Sequence, residues 1–374
     1  MENTMTIERR SSAAINDAYN LSDILLEVLI LYLDPISFLC LREVCRSGRR
    51  TIARYPPSKN TLLALTNNPR RDARVILNHC LDAARPEPYG FRCCGSSGSW
   101  IAIVSQTSRL FLLNIINKSF LELPPQMSLL HSGTHSSFNN PFYIRKIIMS
   151  STPNDCEVVA LLFDYRMAKC TVGDNVWTEV VPTSGYSKHK WIVTDAAFIG
   201  KELYILDIDM EVCTFDLPTG RATKLELLYD REMHEASAKK YLVVTPDGEL
   251  MLVLRIWDFP LDQVNRKTSG FQVFKLGQQR SPNFRWLKWV KMDDLDGNVL
   301  LVSRSCSLCV PWREYPELEE NSIYFTENLT GDGVEGVASV DAKVFRMIDQ
   351  VIESVENGDK FPLFLFLFHS KSVF

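Results

Sequence analysis

Leu21–Arg49, LSDILLEVLILYLDPISFLCLREVCRSGR, decides how this chain is read, because it holds three short amphipathic helices ahead of a long β-rich body. Ser22 can cap the first helix, its hydroxyl accepting an otherwise orphan N–H of the first turn. Leu21, Ile24, Leu25, Val28, Leu29 and Leu33 then recur at helical spacing and form one apolar stripe. Asp34-Pro35 restarts the helix with an acidic cap and a proline at the first helical position, where its missing N–H does no harm. Phe38, Leu39, Leu41 and Arg42 carry it to Val44-Cys45, and a turn from Arg46 to Ile52 closes the unit. Two readings fit such a unit: a docking module, or a helical cap that packs its stripe onto the body.

Taken without a gap, the run resembles an F-box: Leu21, Asp23, Leu25-Leu26-Glu27, Leu33, Pro35, Leu39, Leu41-Arg42, Val44-Cys45 and Ser47-Gly48-Arg49. The resemblance implies docking on a Skp-type adaptor, which joins a cullin scaffold and makes the F-box protein the substrate receptor of a ubiquitin ligase. The adaptor contacts it implies are Leu21, Ile24, Leu25, Val28, Leu29, Leu33, Pro35, Phe38, Leu39, Val44 and Cys45. The chain departs from the family pattern at Ser22, where the family carries Pro, and at Gly48, where it carries Trp, an aromatic of the size that anchors helix contacts. A decayed F-box is therefore the alternative reading.

Composition bounds the remainder. With 374 residues, 46% of them hydrophobic, the chain can bury a large core, and the part beyond the helices exceeds one average domain. A formal charge of −4 advertises no basic face, so neither nucleic acid nor an anionic membrane is an expected partner. The first twenty residues contain no apolar signal core, which predicts the cytoplasm or nucleus. Ten cysteines in such a chain read as buried reduced thiols.

Beyond the helices the strongest breakers are Tyr55-Pro56-Pro57-Ser58 and ARPEPYG at 84–90, with helix-compatible residues 62–81 between them. From Phe91 the pattern changes to short apolar strands separated by Gly, Asn, Asp or Ser. Thirteen stretches read as strands: 100–104, 110–114, 158–163, 167–172, 196–199, 202–207, 212–217, 241–245, 249–256, 271–276, 299–302, 322–326 and 344–349. A loose unit recurs among them, an apolar strand followed by an aromatic or apolar residue and x-x-Leu/Val. Its copies are 110–114 with Phe120–Leu123, a second ending in Trp177–Val180, a third at Val212–Asp216, a fourth joining 271–275 to Trp289–Met292, and a fifth running from Phe345 to Ile352. Phe120, Trp177, Trp289 and Ile352, the aromatic or apolar positions of the unit, lie 57, then 112, then 63 residues apart, which fits four-stranded propeller blades with long loops.

This region is similar to plant F-box proteins with a C-terminal KIB-type β-propeller, a family catalogued as domain of unknown function 295. The resemblance rests on Cys93–Ser97 before Trp100-Ile101-Ala102, Leu112–Asn114 before Leu123-Pro124-Pro125, and Lys146–Ser151 before Cys156–Ala160. It continues through Asp174–Trp177, Gly200–Tyr204, Phe271–Leu276 and Asn321–Thr326. It implies a propeller that presents a target-binding surface; the target differs among members. The expectation is thus an α+β multidomain chain: a disordered N-terminus at 1–17, an F-box at 18–56, a helical linker at 57–86, a mainly-β propeller at 87–356 with its boundary near Glu87, and an apolar tail at 357–374. Within the tail, FPLFLFLF at 361–368 is far too short to span a bilayer. It reads as a closing or packing strand of the last blade, ahead of an exposed aggregation-prone segment or a membrane anchor.

No enzyme site emerges. Cys306 and Cys309 lack a second pair of metal ligands and read as strand thiols. His131 and His135 fall in a Ser/Gly/Asn loop, and Gly95-Ser96-Ser97-Gly98 reads as a turn, lacking the Lys of a phosphate loop. No catalytic residue, metal or cofactor is therefore expected. Tyr186, His189, Trp191, Trp257 and Phe259 are aromatic or charged residues of inter-strand loops, suited to a binding rim and equally to blade packing.

Overall fold

The structure is a computed structural model that describes residues from 92 to 354, leaving out 98–99, 106, 115–118, 130–142, 151–155, 182–191, 229–237, 259–266, 281–284, 304–306, 316–317 and 328–340. The three helices, the linker and the apolar tail predicted above, with every adaptor-contact residue from Leu21 to Cys45, lie outside the described residues.

Among the described residues, twenty-two strands form five sheets. The first is β1 (Arg92–Ser97), β2 (Trp100–Val104), β3 (Leu110–Asn114) and β4 (Phe120–Leu123), an antiparallel meander. The second repeats it with β5 (Ile144–Met149), β6 (Glu157–Leu162), β7 (Met167–Thr171) and β8 (Thr178–Glu179), and the third with β9 (Val193–Ile199), β10 (Glu202–Asp207), β11 (Val212–Asp216) and β12 (Arg221–Lys224). In the fourth, β13 (Leu227–Leu228) pairs parallel to β17 (Arg285–Met292), outside β14 (Ala238–Val244), β15 (Leu250–Asp258) and β16 (Lys267–Arg280). The fifth comprises β18 (Asn298–Val302), β19 (Ser307–Pro311), β20 (Ser322–Glu327), β21 (Asp341–Arg346) and β22 (Ile352–Ser354) in the order β19-β18-β20-β21-β22, with β18 and β20 parallel.

All thirteen expected strands coincide with observed ones, and the five copies of the recurring unit fall one on each sheet. The innermost strands stand side by side, β1 against β5, β5 against β9, β9 against β14 and β14 against β19. That is the arrangement of propeller blades around an axis, with four or five strands to a blade.

Alternation explains the packing. Val158, Ala160 and Leu162 of β6 pack toward the first blade, while Val159 and Leu161 pack toward the third. Every one of them is buried. A strand sandwiched between two neighbouring sheets has no wet face, so it reads as a continuous apolar run. The layer between the fourth and fifth blades is aromatic: the Phe271 ring lies 4.9 Å from that of Phe325 at 62° and 5.3 Å from that of Phe345, the tilted geometry such rings favour.

One expectation is corrected. Gly95-Ser96-Ser97 does not form a turn; it is the end of β1, and Ser97 pairs with Trp100. Small residues are needed there because the inner strands converge. A Cβ on Gly95 would lie 2.2 Å from the Ile147 carbonyl oxygen of β5, closer than any side-chain carbon can come.

Candidate functional site

Strand topology places two chemically distinct sites at the inner strands: a charged centre on the axis and a rim at one end. At the centre, Lys146 on β5 donates to Asp195 Oδ1 on β9 at 2.8 Å and to Ser307 Oγ on β19 at 3.3 Å. The same carboxylate accepts the backbone N–H of Ala196 on Oδ1 and that of Leu242 on Oδ2, each at 2.9 Å. The side chains are 11% and 4% exposed, so each charge relies on the other and on these donors for its solvation. Inner strands of four blades meet at this one ion pair, which clamps the axis.

At the rim, a tight turn recurs. In the first three blades Ser105–Arg109, Leu162–Arg166 and Asp207–Glu211 join the second and third strands; in each, the first residue donates its N–H to the last residue's carbonyl and accepts, on its own carbonyl, the N–H of the penultimate residue, which takes a left-handed conformation. Thr245–Glu249 makes the same turn between β14 and β15 at the opposite end of the inner strands, where Gly248 neighbours Ile199. Ser105, Asp207 and Thr245 each accept the backbone N–H four residues on with a side-chain oxygen. The left-handed positions are Ser108, Tyr165, Met210 and Gly248. A glycine suits such a position and a tyrosine strains it.

Tyr165, at φ 65, nevertheless presents a ring that is 44% exposed. Its turn is stitched by Arg166, which donates to Asp164 and to the Tyr143 hydroxyl, each at 2.6 Å. Burial, followed by the acceptor Asp164, pushes the Tyr143 hydroxyl up to about 12, so it stays a donor to that carboxylate. The Tyr165 carbonyl accepts Val193 N–H, and the Ile192 carbonyl accepts Ile208 N–H, which ties the turns of the second and third blades together. Arg145 bridges the same point, donating to the carbonyls of Val193 and Thr194 with its guanidinium 5.5 Å from the centre of the Tyr165 ring. Tyr165, Ile208 and, where the second blade ends, Val181 are all exposed apolar groups.

The acidic side of this rim is the third-blade turn. Burial first, then the charges of Glu211 and Asp209, push the Asp207 carboxyl up to about 6, against the lowering effect of the N–H bonds it accepts. Burial lowers Lys240 at the start of β14, while Asp207 and Asp209 pull it the other way. An exposed aromatic and aliphatic group beside mixed charge is the composition of a protein-binding surface.

Of the residues singled out by sequence, Trp257 is half-buried near the end of β15, while Tyr186, His189, Trp191 and Phe259 lie outside the described residues. Val181 and Ile192, which flank residues 182–191, stand at the rim just described. His131, His135 and Cys306 are also outside, and Cys309 is a buried thiol that burial pushes up to about 12. All six cysteines within the described residues are buried thiols. No group of three or more His, Cys, Asp or Glu among the described residues is placed to hold a metal, and no described helix is long and apolar enough to cross a membrane. The sequence reading missed Tyr165, Ile208 and Arg145. Asp-Tyr-Arg between two apolar strands was the available signal, since an aromatic in so short a turn has no core to enter.

Five sheets around inner strands, packed through both faces, define a β-propeller. A family model described as the KIB1-4 β-propeller matches residues 73–346, and the chain belongs to that family. It is similar to a putative F-box protein of Arabidopsis thaliana, 22% identical over 269 residues that cover 63% of this chain and 64% of the relative. It is similar also to a probable F-box protein of the same plant, 24% identical over 288 residues that cover 71% and 69% of the two chains. The chain thus spans slightly less than two thirds of the first of these relatives. Among solved structures, the β-propeller domain of Myceliophteria thermophila Cps50 (Swd1) is 10% identical, with 71% of this chain and 73% of that one covered and a TM-score of 0.37. The fold is read from the strand pairing and not from that likeness.

Proposed function

We propose that this chain is the substrate-recognition subunit of a ubiquitin ligase of the Skp adaptor, cullin and F-box type, acting in the cytoplasm or nucleus. The observation that carries the reading is the unbroken F-box pattern of Leu21–Arg49 ahead of a KIB1-4 propeller; the naming of relatives as F-box proteins supports it. The helices hold the chain on the adaptor, and the propeller holds a target protein, with the rim around Tyr165 and Ile208 as its binding face. Other subunits supply the ubiquitin-charged enzyme. The gain is effective concentration of target beside that enzyme, so this subunit is not itself an enzyme and needs no cofactor.

Gly48, standing where the family carries Trp, favours a second reading: a target-binding propeller whose F-box no longer recruits the ligase. Calorimetry of the full chain with a plant Skp-type adaptor separates the two. Binding near micromolar or tighter is expected. No detectable binding overturns the ligase reading and leaves the interaction propeller. In that case Gly48→Trp restores binding if this residue is the lesion.

A further inference from the structure

The long strand β16 is paired unevenly. On one side β15 pairs with Lys267–Lys275; on the other, β17 pairs only with Val273–Arg280. Among the described residues, Ser269–Gln272 therefore has a ladder on the β15 side alone. Alternate residues of that stretch aim N–H and C=O groups outward, the standard template for a further strand. A cavity of about 450 Å³ follows this edge, between Gly270 and Phe271, the end of β17 at Met292, and Met347 and Ile348 of the fifth blade. Ile348 is 80% exposed, the most exposed large hydrophobic side chain among the described residues.

We propose that the apolar segment Phe361–Phe368, outside the described residues, adds to this edge as an extra strand of the fourth blade. Leu363, Leu365 and Leu367 alternate with Phe364, Phe366 and Phe368, so as a strand the segment is apolar on both faces. In this fold such strands are the sandwiched ones: β2 and β3 are buried at every position. Outer strands differ, since β12 exposes Arg221, Thr223 and Lys224, and β22 exposes Glu353 and Ser354. Pairing beside β22 would leave one apolar face wet. Pairing with β16 sets the segment against Met347 and Ile348 instead. Pro362 falls near the start of the strand, where a missing N–H is tolerated.

The connection is long enough. Ser354 pairs with Lys343, two residues from Phe345, and the Phe345 ring lies 3.9 Å from where a Cβ on Gly270 would stand. The six residues 355–360 span at most about 20 Å when extended, and Asn357-Gly358-Asp359 supplies turn residues. A covered edge also removes a site of edge-to-edge association.

Hydrogen exchange tests this in three proteins: the full chain, a chain ending at Asn357, and the full chain with Leu365→Asp. Those amides of 269–272 that face away from β15 are the edge amides, and they are expected to exchange about a hundredfold more slowly in the full chain than in either variant, at every protein concentration. Amides of Ile323–Phe325 serve as the folding control and are expected to be unchanged. Edge amides that exchange in the full chain without protection overturn the proposal, a result that needs no variant. So does protection that persists in both variants, which places another part of the chain there, or protection lost on dilution, which assigns the edge to a second copy.

Discussion

Lys146→Met puts the axial ion pair to the most demanding test. Methionine keeps the length and packing of the lysine stem but leaves the Asp195 carboxylate, 4% exposed, with two backbone N–H donors and no cation. Removing one partner of a buried pair costs about 3–5 kcal/mol. Asp195→Asn should cost a similar amount, because it leaves the ammonium buried. The double variant removes both charges, so the two losses should overlap by about 2 kcal/mol or more, the signature of residues that interact directly. The assay is urea denaturation of the four proteins followed by the fluorescence of the buried Trp177 and Trp289. For a domain of this size each kcal/mol moves the melting midpoint by about 2 °C, so each single variant should melt about 6–10 °C lower. Losses that add within about 0.5 kcal/mol, or a Lys146→Met cost below about 1 kcal/mol, would refute the view that this pair clamps the blades.

Gly95→Ala should destabilise the propeller by about 2 kcal/mol or more, since its Cβ meets backbone at 2.2 Å and only a shift of β1 from β5 relieves it; an unchanged denaturation midpoint refutes the close approach. Asp207→Asn keeps the acceptor for the Glu211 N–H and removes the charge. Because the folded carboxyl sits at about 6 against an ordinary 3.8, its contribution to stability is full below about pH 4 and is lost as pH rises through 6. The variant should therefore gain about 1 kcal/mol at pH 7.5, after allowance for partial solvation, and nothing at pH 4; an equal gain at both values would point to another cause. Leu25→Asp places a charge in the apolar stripe and should weaken adaptor binding at least about tenfold while the urea midpoint of the propeller stays put; unaltered calorimetric affinity would remove Leu25 from the docking face.

The strands legible in the sequence were those buried on both faces, such as β2, β3 and β6, because continuous apolar runs record sandwiching between blades. The strands missed as such have other constraints. β1 carries Gly95 and two serines because the axis is crowded there. β5 contains Arg145 and Lys146, whose partners Val193, Asp195 and Ser307 are distant in sequence, so local pattern gives no hint that the charges are satisfied. β8 and β22 are short and partly wet, and were visible only as the trailing part of a repeat; β12, short and exposed at three of its four positions, left no signal. The parallel pairing of β18 with β20 was not legible, since hydropathy carries no information on strand direction. The rim followed from loops in general terms, yet Tyr165 emerged only once its left-handed turn and Arg145 were seen together.

The axial ion pair also has a temporal consequence. Lys146 and Ser307 are 161 residues apart, and the N–H of Leu242 reaches the carboxylate only when the fourth blade is in place. Such a network forms after most of the chain has assembled, so it should contribute little to the folding transition state. Interactions absent from that state act on the rate of unfolding. A contribution of about 3–5 kcal/mol then corresponds to two to almost four powers of ten in the lifetime of the closed propeller. Folding would be no faster for it, and the clamp would serve as a slow latch that keeps an assembled propeller from opening.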